Sequence, residues 1–242
     1  MNTVRHLYVL TVLVALLLSG CGLPRGKPGK NSETVAPNEI TDFATLYAEN
    51  CAGCHGTEGR GGAAAALADP VYLAIADDVA IHKATANGVP GMAMPAFAQS
   101  AGGMLTDKQI DVITKGIRSR WSKPGILEGS NAPSYFAKSA GNVAPGGLAF
   151  RIYCAPCHGA DGRGGPKGSA ITNDDFLSLV SDQALRIVVI TGRPELGAPD
   201  WRGDVPGKPM SEQEITDVVA WLASQRTQTA TQPNSASHYA QH

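Results

Sequence analysis

The sequence predicts an all-α protein that consists of two copies of one helical unit. A segment at residues 38–121 recurs in similar form at residues 144–226, and a repeat of this length indicates tandem domains. Apolar residues recur at helical spacing, as in Ile110, Ile113 and Ile117 near the end of the first copy. Neither copy contains a convincing run of alternating polar and apolar residues, so no strand is predicted.

Each copy is predicted to contain its elements in the same order. A helix enters a short Cys-containing motif, a Gly-rich loop follows, and short helices lead to a last amphipathic helix. In both copies the last helix begins with a capping box, formed by Thr106 with Gln109 and by Ser211 with Glu214. These local signals place the start of the last helix in each copy.

Composition indicates a cofactor and gives no support for nucleic-acid binding. Only 6% of the 242 residues are aromatic and 17% are charged, whereas Gly and Pro are abundant at 28 and 16. This composition provides little apolar side-chain volume for the cores of two domains of about 100 residues each. We therefore expect an apolar cofactor to supply core volume in each domain. The formal net charge of −1 is too small for a nucleic-acid-binding surface to be expected.

Each copy contains the pattern C-x-x-C-H, at Cys51–His55 and at Cys154–His158. This pattern is the covalent attachment signature of c-type haem, in which two thiols bond to the porphyrin and the His binds iron. A thioredoxin-like or zinc-binding C-x-x-C is a weaker interpretation, because a His follows each pair. We therefore predict two covalent haem c groups, with His55 and His158 as iron ligands and with four cysteines as attachment points: Cys51, Cys54, Cys154 and Cys157.

With this motif, loop and capped helix occurring twice in one order, each half resembles a class I cytochrome c domain. The whole is similar to membrane-tethered dihaem cytochromes c of bacterial respiratory chains, over about residues 39–226. The resemblance implies an all-α fold in which the first and last helices of each domain cross beside the haem. It also implies a one-electron carrier, not an enzyme, although such a protein could be a subunit of an oxidoreductase complex. The implied partners are redox proteins, with a dehydrogenase or quinol-oxidising complex as donor and an oxidase as acceptor.

The sixth ligand of the first haem is predicted to be Met94. The stretch Gly91–Phe97 reads GMAMPAF and resembles the Met-Pro loop of the family, in which a thioether sulfur binds iron. Met92 is the local alternative, and both residues could instead pack in the core.

The second copy departs from this pattern, since Ala198 stands where the first copy has Met94. A methyl group cannot bind iron, so three outcomes stay open: an open or water-bound sixth position, ligation by Met210, or ligation by a Lys such as Lys208. Met210 aligns with Leu105 and could instead pack as the apolar residue before the helix cap. An open position would suit an alternative function as a peroxidase or gas-binding protein, although no acid–base pair lies near Ala198 in the sequence.

Residues 1–20 are predicted to be a lipoprotein signal peptide. The apolar run at residues 7–18 is shorter than the roughly 20 residues of a membrane span and fits a secretory signal. It ends in Leu18-Ser19-Gly20-Cys21, which resembles a lipobox, so Cys21 is predicted to carry the lipid. This places the chain on the periplasmic side of a bacterial membrane, as an ordinary cleaved signal or an uncleaved anchor also would.

Three segments are predicted to lie outside the two domains. Residues 21–37 are rich in Gly, Pro and polar residues and are expected to form a tether. Residues 122–143 are expected to form a linker, which Tyr135 and Phe136 dock onto a domain. Residues 227–242 are predicted to be a disordered polar tail.

Overall fold

The fold is all-α, as the sequence predicts. The computed structural model describes residues 35–203 and 205–226, so the predictions for the signal peptide, for Cys21 and for residues 227–242 lie outside the described residues. Within these residues every regular element is a helix, and the only β-type pairings are two isolated bridges. The α-helices are α1 (Phe43–Asn50), α2 (Ala52–His55), α3 (Pro70–Ile75), α4 (Asp78–Asn87), α5 (Asp107–Trp121), α6 (Val143–Tyr153), α7 (Ala155–His158), α8 (Asp174–Leu179), α9 (Asp182–Thr191) and α10 (Glu212–Ser224). Three short 3₁₀ helices lie at Pro37–Glu39, Gln99–Ala101 and Pro194–Leu196.

Side-chain caps set the starts of the helices. The Thr106 side chain accepts a hydrogen bond from the backbone N–H of Gln109, and the Gln109 side chain bonds back to the cap. Ser211 and Glu214 form the same reciprocal pair at the start of α10. Both capping boxes predicted from the sequence are confirmed, because a capping box depends only on residues three apart. In the described ranges, no helix combines the length and apolarity needed to cross a membrane.

The first and last helices of each copy cross, α1 over α5 and α6 over α10. In the first crossing the Phe43 ring lies against Gly116, where an added Cβ would be 2.0 Å from the ring atom Cδ2. In the second crossing the sizes are exchanged, with Gly146 at the position that matches Phe43 and Trp221 at the position that matches Gly116. Each crossing therefore joins one large and one small residue, which conserves the volume between the helices.

The two copies pack against each other through α3 and α9. Each copy has its own buried cluster, and in the first copy the predicted stripe of Ile110, Ile113 and Ile117 is at most 2% exposed. Val71 of α3 belongs to the buried cluster of the second copy, and Ile187 of α9 packs against that of the first. The interface is thus an extension of both cores.

The linker between the copies is held by one buried arginine that the sequence did not single out. The Tyr135 ring packs near Tyr72, with ring centroids 6.4 Å apart. Arg186 on α9, whose side chain is 3% exposed, donates hydrogen bonds to the backbone oxygens of Ser134 (2.9 Å) and Tyr135 (3.2 Å). It also forms an ion pair with Glu212 of α10. The linker backbone is therefore tied to two helices of the second copy.

Candidate haem sites

The first C-x-x-C-H segment forms a single helical turn that begins where α1 ends. The backbone N–H groups of Cys54 and His55 both donate to the oxygen of Cys51, at 3.2 and 3.0 Å. Cys51 is buried, Cys54 is exposed, and burial together with the Cys54 thiol raises the pKa of Cys51 to about 11. A neutral thioether suits this buried position better than a thiolate would.

The second C-x-x-C-H segment has the same geometry at the end of α6. Cys157 and His158 donate their backbone N–H groups to the oxygen of Cys154, at 3.1 and 2.9 Å. Cys154 and Cys157 are both half-buried, whereas the first site has one buried and one exposed cysteine. The two turns therefore present identical sets of sulfur and nitrogen atoms.

Each motif histidine is oriented by a backbone carbonyl. The Nδ1 atom of His55 lies 2.7 Å from the Ala65 oxygen, and that of His158 lies 2.8 Å from the Ser169 oxygen. A carbonyl oxygen can only accept, so Nδ1 carries the hydrogen and Nε2 keeps its lone pair for a metal. Burial lowers the pKa of His55, which also favours the neutral, ligating form. Both histidines are therefore suited to serve as axial iron ligands.

Glycines let the loop after each histidine fold back over the cysteine turn. An added Cβ at Gly62 would lie 2.1 Å from the Cys54 oxygen, and one at Gly165 would lie 2.3 Å from the Cys157 oxygen. Gly56, which begins the first loop, has a φ of 81°, in the left-handed region that other residues rarely adopt. This close return of the chain brings the accepting carbonyl to the histidine ten or so residues away.

The loop that carries Met94 and the loop that carries Ala198 both begin at a glycine with positive φ. Gly88 and Gly192 end equivalent helices with φ values of 69° and 66°. An added Cβ at Gly88 would lie 2.8 Å from the Met94 oxygen, and one at Gly192 would lie 2.6 Å from the Ala198 oxygen. The backbone at Met94 and at Ala198 therefore passes equally close to the glycine that ends the preceding helix, although of these two described loops only the second contains a 3₁₀ helix, Pro194–Leu196.

Met210 and Lys208 both make contacts within the second copy. Met210 is 2% exposed, lies in the core, and donates its backbone N–H to the Trp201 oxygen at 2.9 Å. Leu105 makes the same bond to Phe97 at 2.8 Å in the first copy. The Lys208 ammonium lies over the Tyr153 ring. This geometry favours a packing role for Met210, and its ligation of iron stays a prediction.

The sequence profile of one protein family matches residues 38–115 and again residues 141–222. Each match contains one of the two cysteine turns. The chain belongs to this family, which is described as cytochrome c oxidase, cbb3-type, subunit III. As a cytochrome c with two complete attachment sites, the chain binds two covalent haem c groups.

Relatives of this cytochrome cover parts of its length. The subunit CcoP of the cbb3-type cytochrome c oxidase of Azospirillum sp. (strain B510) is 34% identical over 131 residues, 50% of the chain and 39% of the relative. The cytochrome c subunit of the cytochrome bc1 complex of Mycobacterium bovis is 24% identical over 180 residues, 73% of the chain and 60% of the relative. The cytochrome thus spans between two fifths and three fifths of these two proteins.

One solved structure, a reducing HAO-like protein complex of Kuenenia stuttgartiensis, also resembles the cytochrome. The match covers 80% of this chain and 100% of that chain, with 19% identity and a TM-score of 0.43. This TM-score is too low for the resemblance to bear on function.

Proposed function

We propose that this cytochrome is a one-electron carrier in a respiratory chain and does not convert a substrate itself. The observation that supports this most strongly is the pair of matching cysteine turns, each with a histidine whose Nδ1 is bound to a backbone carbonyl. Haem c, when bound, supplies reversible one-electron chemistry between Fe(III) and Fe(II). The chain contributes attachment, ligation and a fixed orientation.

The proposed attachment and ligand set differs between the two copies. Cys51 and Cys54 attach the first haem and Cys154 and Cys157 the second, with His55 and His158 as the proximal ligands. Met94 is the sixth ligand of the first haem, and its soft thioether raises the reduction potential. Ala198 supplies no ligand to the second haem, so we expect that haem to have the lower potential.

The contact between the copies supports electron transfer within one chain. The segment that contains Ala65, the carbonyl partner of His55, lines a small cavity together with Arg193 and Glu195. Those two residues belong to the loop that leads to Ala198. The segment that orients His55 and the loop that leads to Ala198 thus meet beside the α3–α9 interface. This fixed contact favours electron transfer between the two haems of one chain over electron transfer between separate molecules.

The proposed setting is the periplasmic side of a bacterial membrane, with a lipid on Cys21 as anchor. The apolar leader and lipobox-like sequence support this placement.

The relatives are named as subunits of an oxidase and of a bc1 complex, which supports membership of, or transient docking to, a respiratory complex. A quinol-oxidising complex or dehydrogenase would be the donor and an oxidase the acceptor. The same names do not favour a peroxidase or gas-binding protein.

A spectroelectrochemical titration of the purified holoprotein tests this function. We expect two reversible one-electron waves, of which one disappears in a Cys154→Ala, Cys157→Ala double variant. Waves that are irreversible, or turnover of peroxide by the wild-type protein at rates typical of a haem enzyme, would contradict the carrier role.

A further inference from the structure

The loop that carries the proposed ligand Met94 contains a second methionine, and the structure shows what holds it. Met92 and Met94 each offer a thioether of the kind that haem iron accepts. Gly91, with a φ of 72°, precedes Met92 and gives the loop conformational freedom at that point. The loop alone therefore does not decide which sulfur binds iron.

Met92 contacts the other copy through its sulfur. The hydroxyl of Ser181 donates a hydrogen bond to Met92 Sδ, with Oγ and Sδ 3.4 Å apart. Ser181 is the N-cap of α9, so the contact joins the distal loop of the first haem site to a helix of the second copy. Within the loop, the Met92 backbone N–H donates to the Val89 oxygen at 3.1 Å.

The cap interaction of Ser181 uses its hydroxyl oxygen and leaves its hydroxyl hydrogen for the Met92 sulfur. Its oxygen accepts the backbone N–H of Ala184 at 3.2 Å, as an N-cap requires. A hydroxyl has one hydrogen, which is thus free for Met92. Asp77 caps the matching helix α4 of the first copy by accepting from Ala80 at 2.7 Å, and a carboxylate has no hydrogen to donate. The chain therefore contains the same cap with and without a donor.

We propose that Ser181 is a positioning residue that retains Met92 against the second copy and so leaves Met94 as the sulfur that binds iron. This inference rests on the proposed role of Met94. The hydrogen bond holds the Met92 side chain against Ser181, and movement of this sulfur to the iron would break it. It also makes ligand choice at the first haem depend on the α3–α9 packing, because Ser181 belongs to the second copy.

The test is proton NMR of the reduced holoprotein, in which the methyl group of an iron-bound methionine is shifted far upfield by the haem ring. Wild type is expected to show one such signal. Ser181→Asp keeps the cap and removes the donor, so a second signal is expected, with the Met92-bound population rising by up to about tenfold, the factor that one hydrogen bond supplies. The second signal should vanish in the Ser181→Asp, Met92→Leu double variant. Asp77→Asn, which changes the matching cap away from Met92, should keep the single signal.

The outcomes separate this inference from the ligand assignment. A single unchanged signal in Ser181→Asp would overturn the role of Ser181 and leave Met94 as the ligand. Loss of the signal in the Met92→Leu single variant would show that Met92 is the ligand in wild type. In that case both the assignment of Met94 and the inference would fail.

Discussion

Arg118 and Arg226 make equivalent contacts in the two copies, although they occupy different positions in the repeat. Arg118 lies within α5, whereas Arg226 follows the end of α10. Each guanidinium binds an aspartate in the first turn of an earlier helix, with Arg118 Nε 2.7 Å from Asp78 of α4 and Arg226 Nη1 2.5 Å from Asp182 of α9. The remaining donors bind carbonyls at the end of the short helix α3 in the first copy (Leu73 and Ala76) and of the short helix α8 in the second (Leu177 and Val180).

Arg118→Met is expected to destabilise the protein by about 1–3 kcal/mol, because it leaves two helix-terminal carbonyls without a charged donor. Chemical unfolding of the holoprotein, followed by far-UV circular dichroism, measures the change. Arg120→Met is the matched control, since Arg120 forms only an exposed ion pair with Glu58 at 3.3 Å. That change should stay within about 0.5 kcal/mol. Equal effects of the two substitutions would show that the carbonyl contacts add nothing.

Gly146→Ala is expected to be more damaging than Gly116→Ala. An added Cβ at Gly146 would lie 1.9 Å from the backbone oxygen of Asp217, so α6 and α10 would have to separate, at a cost of about 1–3 kcal/mol or more. The three atoms nearest to an added Cβ at Gly116 all belong to the Phe43 side chain, which is half-buried and can move. Denaturant midpoints of the two variants give the comparison. Adding Phe43→Leu should restore stability to Gly116→Ala, and failure to do so would contradict this account of the crossing.

Exchanging the residues at the two matched loop positions should exchange the ligation of the two haems. Met94→Ala is expected to abolish the thioether–iron absorption band of the oxidised protein and to lower the potential of the first haem. Ala198→Met should add a second such band. Met104→Ala serves as control, because Met104 is 81% exposed and lies outside the loop. Two thioether bands in the wild-type spectrum would instead support Met210 as a ligand.

Asp69→Asn is expected to raise stability at neutral pH. Asp69 caps α3 by accepting from Tyr72 at 2.8 Å, and burial, with further repulsion from Asp200 and Glu195, raises its pKa above the usual 3.8. The folded state therefore binds this proton more tightly than the unfolded state, so its contribution to stability is lost as pH rises from about 4 through the raised pKa. Asn caps a helix as well as Asp does and does not ionise.

Thermal unfolding of wild type and Asp69→Asn at pH 7.5 and at pH 4.5 tests whether ionisation of Asp69 destabilises the folded state. The melting temperature of the variant should exceed that of wild type at the higher pH, and the gap should narrow at the lower pH. The same substitution at the exposed cap Asp77 is the control and should change little. A gap that widens on acidification would mean that the Asp69 carboxylate is stabilising.

Local features of this protein could be predicted from the sequence because their partners lie within a few residues. The capping box of Thr106 and Gln109 spans three residues, and the turn from Cys51 to His55 closes on itself. The repeat added a comparison that a single copy would not allow, since Ala198 stands out only beside Met94.

Contacts between distant residues could not be predicted in this way. The carbonyl acceptors of His55 and His158 carry no side-chain signal, because any residue can supply a backbone oxygen. No sequence signal singles out Arg186, yet its side chain is 3% exposed and binds the linker backbone. Nothing in the sequence around Ser181 indicated that its hydroxyl would meet Met92, 89 residues away.

The sequence by itself determined that the chain carries two C-x-x-C-H motifs and that Ala198 stands in the second copy where the first copy has Met94. These are properties of covalent spacing. Only the tertiary structure decided which nitrogen of each histidine is free, which methionine is retained by the other copy, and how the copies pack through α3 and α9. These properties depend on where distant backbone and side-chain atoms meet, and spacing along the chain does not specify that.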